Sequence, residues 1–143
     1  MLNILKMTRR GLIACLALAT LTSAFAGADM SAPDALAASQ AAKLTLIDVR
    51  TPAEWKETGS PLGAARIDIN QSKGDAGFLE AVLKQTKGNK SAPVALICRS
   101  GSRSSKAQSF LESQGFTQVF NVKEGMSGSG AGPGWIKRAL PVQ

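Results

Sequence analysis

The run Val94-Ala-Leu-Ile-Cys98 is apolar at every position. A strand that alternates apolar and polar residues can keep one face in water. A strand with no polar face must be covered on both sides, as central strands of parallel sheets are. The surrounding segments have the matching rhythm. Ser31-Ala-Pro-Asp34 starts a helix, with Ser at the N-cap and Pro and Asp in the first turn, and an Ala-rich stretch carries it to about Ala42. Leu44–Val49 reads as a short strand, and Pro52–Thr58 as a short helix opened by Pro and closed by Gly59. Ala65–Ile69 is a further strand. Asp75 begins an amphipathic helix with Phe78, Leu79, Val82 and Leu83 on one face, ended by Gly88. A helix from about Arg103 turns Ala107, Phe110 and Leu111 inward and stops at Gly115, and Val119–Val122 supplies the last strand. Strands alternating with helices predict a three-layer α/β fold, a small, mostly parallel sheet with helices on both faces. The stretch from Gly125 to Gly134 is rich in Gly and Ser and reads as a loop. With 143 residues, the chain has room for one such domain.

Residues 1–26 have a different character. Lys6, Arg9 and Arg10 precede the uncharged run from Gly11, which ends in the small-residue pattern Ala24-Phe25-Ala26. This is the layout of a secretory signal peptide. The expectation is cleavage after Ala26, a mature domain over 27–143 in the periplasm or secreted, and no stable membrane insertion after processing. A retained anchor is the competing reading, but the Thr, Ser and Gly of this run make a poor spanning helix. Thr8-Arg9-Arg10-Gly11-Leu12 also resembles a twin-arginine export signal. Without the three basic residues the formal charge of +7 falls to +4. The remaining basic residues are scattered, and Tyr is absent, so no nucleic-acid surface is expected.

Histidine is absent too. That excludes a Ser-His-Asp triad, a Cys-His pair and a His metal site. Of the two cysteines, Cys15 lies in the leader, which leaves Cys98 as the lone thiol of the expected mature chain. A single Cys in an exported protein is a bridge to another chain, a buried hydrophobe or a reactive thiol. The segment Cys98-Arg99-Ser100-Gly101-Ser102-Arg103 favours the third. It joins the most apolar strand to a helix, where a loop presents backbone N–H groups and the positive end of the helix dipole to an anion. A thiolate there is stabilised by those N–H groups, with Arg99 and Arg103 adding charge, and becomes a nucleophile. Arg103, fixed at the helix start, is expected to aim across the mouth of this cradle, and Arg99 toward solvent or the sheet edge.

The chain resembles the rhodanese family from Leu44 to about Val142. The resemblance is carried by Leu46-Ile-Asp-Val-Arg-Thr-Pro-Ala-Glu-Trp55, Gly63-Ala64-Ala65, the Cys98–Arg103 loop, Gly115-Phe116, Asn121-Val-Lys-Glu-Gly-Met126, Trp135 and Leu140-Pro-Val142. It implies a rhodanese-like fold and a sulfurtransferase. Cys98 would take a sulfane sulfur from a donor such as thiosulfate, hold it as a persulfide, and pass it to a thiophilic acceptor such as cyanide or a thiol, including the thiol of a partner protein. Arg99, Ser100, Gly101, Ser102 and Arg103 would bind the sulfur and its donor. Asp48 and Arg50 would support the loop from behind, as an ion pair or cap at the strand end. No cofactor or metal is implied. Two departures stand out. Ser60 occupies a position where many relatives carry His, and the stretch Ser127–Gly134 is longer than the usual connection to the tail Trp, which makes it a flap over the Cys98 loop or, as we read it, a solvated insertion. A phosphatase of related fold needs five residues between Cys and Arg, whereas four lie between Cys98 and Arg103 and residue 104 is Ser. A non-catalytic binding module would be expected to have lost the Cys or its Arg.

Overall fold

The computed structural model describes residues 27–143, so the leader reading and Cys15 lie outside the described residues. Nine elements follow one another: β1 (Ala28–Asp29), α1 (Ala32–Gln40), β2 (Thr45–Asp48), α2 (Pro52–Thr58), β3 (Ala65–Arg66), α3 (Gly74–Gln85), β4 (Val94–Ile97), α4 (Ser102–Ser113) and β5 (Val119–Asn121). All five strands run parallel in the order β1-β5-β4-β2-β3. The apolar run Val94–Cys98 therefore sits mid-sheet, with β2 on one side and β5 on the other, as its lack of a polar face requires.

Alternation along each strand divides the core in two. Ile47 and Val49 of the β2 segment, Val94, Leu96 and Cys98 of β4 and Val119 of β5 face α3 and α4, meeting Phe78, Val82, Ala107 and Leu111. Leu46, Ala95, Ile97 and Val122 face the other way, onto Ala32 and Ala35 of α1 and onto Met126 and Trp135 of the tail. The structure thus bears out the α/β sandwich with helices on both faces. Trp135 is fully buried and its indole donates to the Pro141 carbonyl at 3.0 Å, which seals the second core from the tail side.

Three local differences have simple causes. β1 was not foreseen, because two residues carry no periodicity; Ala28 and Asp29 become a strand only by pairing with Phe120 and Asn121 at the sheet edge. β3 is shorter than Ala65–Ile69, although Ile67 and Ile69 still donate to the Asp48 and Val49 carbonyls at 3.0 and 3.2 Å. The stretch Ser127–Gly134 is exposed over most of its length, as a solvated insertion should be, but it is pinned and not a free flap. Ser129 and Gly132 form an antiparallel bridge, and Glu124, 3% exposed, gathers the Ala32 and Gly134 N–H groups and Arg138 Nε within 2.9 Å. The chain end is held in the same way: Gln143 and Ser60 exchange backbone hydrogen bonds of 2.8 and 3.1 Å, which fixes the turn Gly59–Gly63 beside β2.

Candidate active site

The chain leaves β2 toward β3 on one side of the sheet, whereas β4 and β5 lie on its other side. In open α/β sheets such a reversal leaves a crevice at the carboxyl ends of the flanking strands, where ligands collect. Here those ends are Asp48-Val49-Arg50 after β2 and Cys98–Arg103 after β4, neighbours because Asp48 pairs with Ile97.

Cys98 is 1% exposed, with its sulfur facing donors. The Gly101 N–H donates to Sγ at 3.1 Å, and the Ser104 hydroxyl lies 3.2 Å from it. Burial pushes the thiol up, but hydrogen bonds from the Ser104 hydroxyl and from the backbone of Ser104, Ser100 and Gly101 outweigh it, and the Cys98 pKa falls below its ordinary 9.0. The expected backbone N–H groups, joined by the Ser104 hydroxyl, thus supply the stabilisation, and neither of the two arginines is among its causes. Gly101 makes the wrap possible: its φ of +96° is left-handed, and a Cβ there would collide with the Lys123 carbonyl oxygen.

Ser104 and Asn121 complete this wall, and the sequence reading had assigned a role to neither. Ser104 is fully buried on the first turn of α4, and its single hydroxyl hydrogen has three acceptors in reach: Cys98 Sγ, the Gly101 carbonyl at 3.2 Å and Asn121 Oδ1 at 2.7 Å. Asn121, 2% exposed at the end of β5, also donates through Nδ2 to the Gly101 carbonyl at 3.2 Å. The signals for Asn121 were its polar character at the end of a buried strand and its place in the Asn121–Met126 segment that carries the resemblance. Ser104 directly follows the six-residue loop and lies outside the segment that marks the site in the sequence.

The two loop arginines differ. Arg99 is exposed and belongs to none of the ion pairs of the described residues. The Arg103 guanidinium, which we expected to reach across the mouth, is held instead by Glu54 of α2: Nη1 donates to Oε2 at 2.7 Å and Nη2 to Oε1 at 2.6 Å. The paired donors of Arg103 bring the Glu54 carboxyl down to about 2, against the opposing effect of burial. Glu54 is itself fixed by a capping box in which Oε2 accepts from the Thr51 N–H and hydroxyl at 3.1 and 3.0 Å. Thr51-x-x-Glu54 is a cap set by local spacing, whereas no local signal marks the partner 49 positions later. Ser100 and Ser102 are exposed on the rim, bordering with Ser129, Gly130 and Lys123 a groove of about 680 Å³ on the far side of the loop.

Behind the loop, Asp48 and Arg50 form the expected strand-end ion pair. Both are buried, with Arg50 Nη2 2.7 Å from Asp48 Oδ2 and Nε 3.0 Å from Oδ1. Arg50 also donates to Thr58 Oγ1 and the Gly59 carbonyl at 2.8 and 2.7 Å, and the Ser60 hydroxyl donates to Asp48 Oδ2 at 2.7 Å. Ser60, at the position where many relatives carry His, is therefore turned inward onto Asp48. Among the described residues no cluster of carboxylates and thiols is suited to a metal, and no helix is long and apolar enough to cross a membrane.

A lowered thiolate ringed by hydrogen-bond donors at a strand end is equipped to attack an electrophilic sulfur and to hold the anion that results. Similar proteins include sulfurtransferases and proteins of no stated activity. An uncharacterised Rickettsia prowazekii protein is 30% identical over 105 residues, covering 68% of this chain and 81% of its own length. A sulfurtransferase of Allochromatium vinosum is 28% identical over 97 residues, covering 68% and 76%. Among solved structures, the polysulfide-sulfur transferase homodimer of Wolinella succinogenes superposes with a TM-score of 0.61 at 27% identity, covering 82% of this chain and 78% of its own. The rhodanese-like domain model matches residues 31–130, most of the described chain, and the protein belongs to the rhodanese-like domain family, with sulfurtransferases among its neighbours.

Proposed function

We propose that this protein is an exported sulfurtransferase that moves a sulfane sulfur from thiosulfate or a related donor to a thiophilic acceptor through a persulfide on Cys98. The observation that carries the reading is the convergence of the Gly101 N–H and the Ser104 hydroxyl on Cys98 Sγ at 3.1 and 3.2 Å. In the neutral thiol, the S–H bonds to Ser104 Oγ while that hydroxyl donates to Asn121 Oδ1; on ionisation the hydroxyl turns to the sulfur. The thiolate attacks the outer sulfur of the donor, the donor's S–S bond breaks, and its electron pair leaves with sulfite or a thiolate. The persulfide then occupies the same ring of donors until an acceptor thiolate or cyanide attacks its outer sulfur and returns Cys98 to the thiolate. Four residues between Cys98 and Arg103 fit a sulfur atom better than a phosphoryl group, and Cys98-dependent release of phosphate from an aryl phosphate would reverse that preference.

Mass spectrometry tests the covalent step. Incubation with thiosulfate is expected to add one sulfur to Cys98, and Cys98→Ser, which keeps the side-chain size, is expected to abolish both the adduct and turnover with the fold intact. Equal turnover in the Ser variant refutes the assignment. Export rests on the basic head, apolar run and Ala-Phe-Ala site of residues 1–26; N-terminal sequencing of the exported chain is expected to begin at or near Gly27, and an intact Met1 on a membrane-bound species would favour the anchor.

A further inference from the structure

We infer that Glu54 sets the donor class: by occupying the Arg103 guanidinium it makes the mouth of the Cys98 loop a site for singly charged sulfane donors, thiol persulfides, in preference to the thiosulfate dianion. This rests on the sulfur-transfer reading and sharpens it. A free arginine fork at the loop's helix end would clamp a sulfonate-like group with two parallel hydrogen bonds. Here both arms of the fork already lie on the two oxygens of Glu54, at 2.7 and 2.6 Å. Glu54 does not swing away cheaply, because Thr51 grips Oε2 from the other side through its N–H and hydroxyl. Nor does it release Arg103 by protonation near neutral pH, since its carboxyl titrates only at about 2.

The other guanidinium near the loop is spent as well: Arg50 is buried on Asp48, Thr58 and Gly59. That leaves exposed Arg99 as the one loop arginine outside the ion pairs of the described residues. The pair at the mouth remains reachable, with the side chains of Arg103 and Glu54 28% and 22% exposed. A dianion arriving there meets a guanidinium already paired with a fixed carboxylate of the dianion's own sign. A thiol persulfide carries at most one charge, as R–S–S⁻, and asks for no fork; the R–S–SH in equilibrium with it is the form that reacts. The Cys98 thiolate attacks the outer sulfur of R–S–SH, the S–S bond breaks, its electron pair leaves with R–S⁻, and a pair from Sγ forms the new S–S bond. The proton stays with the transferred sulfur, and no outside oxidant or reductant is required.

The test is the ratio of KM for thiosulfate to KM for 2-mercaptoethanol persulfide, whose carrier has no charge of its own, measured on the full purified chain. Glu54→Gln is the informative variant, since Gln at this position can keep the capping box while removing the charge and one of the two oxygens that hold the fork. Releasing the fork is expected to lower the ratio about 10-fold, the equivalent of one charge-assisted hydrogen bond. Arg103→Ala, which exposes the Glu54 charge, should raise the ratio. The double variant should return to within about twofold of the parent, because the arginine acts on donors only once freed. A ratio unchanged by Glu54→Gln, or both KM values moving together, overturns the inference and makes the pair a purely architectural tie. Should Glu54→Gln fold poorly by its melting curve, Glu54→Asp, which keeps the charge but withdraws it from the fork, must lower the ratio in the same direction. Failure of both donors to add sulfur to Cys98 in the parent chain is a different result, and it removes the sulfur-transfer reading itself.

Discussion

Two loops leave adjacent strands at the same end of the sheet, and both contain arginine, yet they do opposite things. After β2, Asp48 and Arg50 close on each other, and Thr58, Gly59 and Ser60 take up the hydrogen-bonding capacity that remains. After β4, backbone and hydroxyl donors converge on a sulfur and leave a rim of exposed Arg99, Ser100 and Ser102. An arginine beside a site is thus no evidence of anion binding until its donors are accounted for. By that standard Arg50 is architecture, Arg103 is committed to a neighbour, and Arg99 alone is available among the three.

The contrast can be broken from either side. Asp48→Ala is expected to have the largest effect on the fold: it strands the buried Arg50 charge, and losing one member of such a pair costs about 3–5 kcal/mol. Chemical denaturation of the variant measures this, and a loss below about 1 kcal/mol would show that water reaches Arg50. Ser104→Ala acts on the other loop and on chemistry first. Removing a hydrogen bond to a charged sulfur is worth about 1.5 kcal/mol or more, so kcat/KM should fall about 10-fold or more. The sign of the pH effect follows from the lowered Cys98 thiol: with a lowering donor gone, the midpoint for alkylation by iodoacetamide and the acid limb of turnover both move to higher pH. An unmoved midpoint would assign the stabilisation to the backbone alone. Arg99→Ala should be mildest, costing less than about fivefold in KM for an anionic donor, as suits one exposed charge. If steady-state kinetics give a larger loss, the donor approaches from the strand side and Arg99 makes a direct contact.

What the sequence disclosed and what it withheld divide along physical lines. The central strand, both faces of the sheet and the position of Cys98 were legible, because apolar runs and helix signals act over a few residues. The Asp48–Arg50 pair was legible for the same reason, two positions apart. The partner of Arg103 was not: Thr51-x-x-Glu54 announces a helix cap, and nothing local says that the same carboxylate faces a loop 49 residues on. Asn121 is a comparable case, since its amide matters only after β5 docks against β4 and brings it to Gly101 and Ser104. The strand Ala28–Asp29 exists only as a partner of β5.

The donors around Cys98 have one more consequence, which concerns ionic strength. Mobile ions screen charges over about 30 Å in 0.01 M salt and about 10 Å in 0.1 M, and they act on groups in contact with solvent. The Gly101 N–H and the Ser104 hydroxyl have no net charge, and the sulfur they hold is 1% exposed. Salt therefore acts on the encounter of an anionic donor with Arg99 and leaves the proton affinity of the nucleophile where it was. In a compartment whose electrolyte follows the outside medium, such a site would collect its substrate at a varying rate and keep its readiness to react constant.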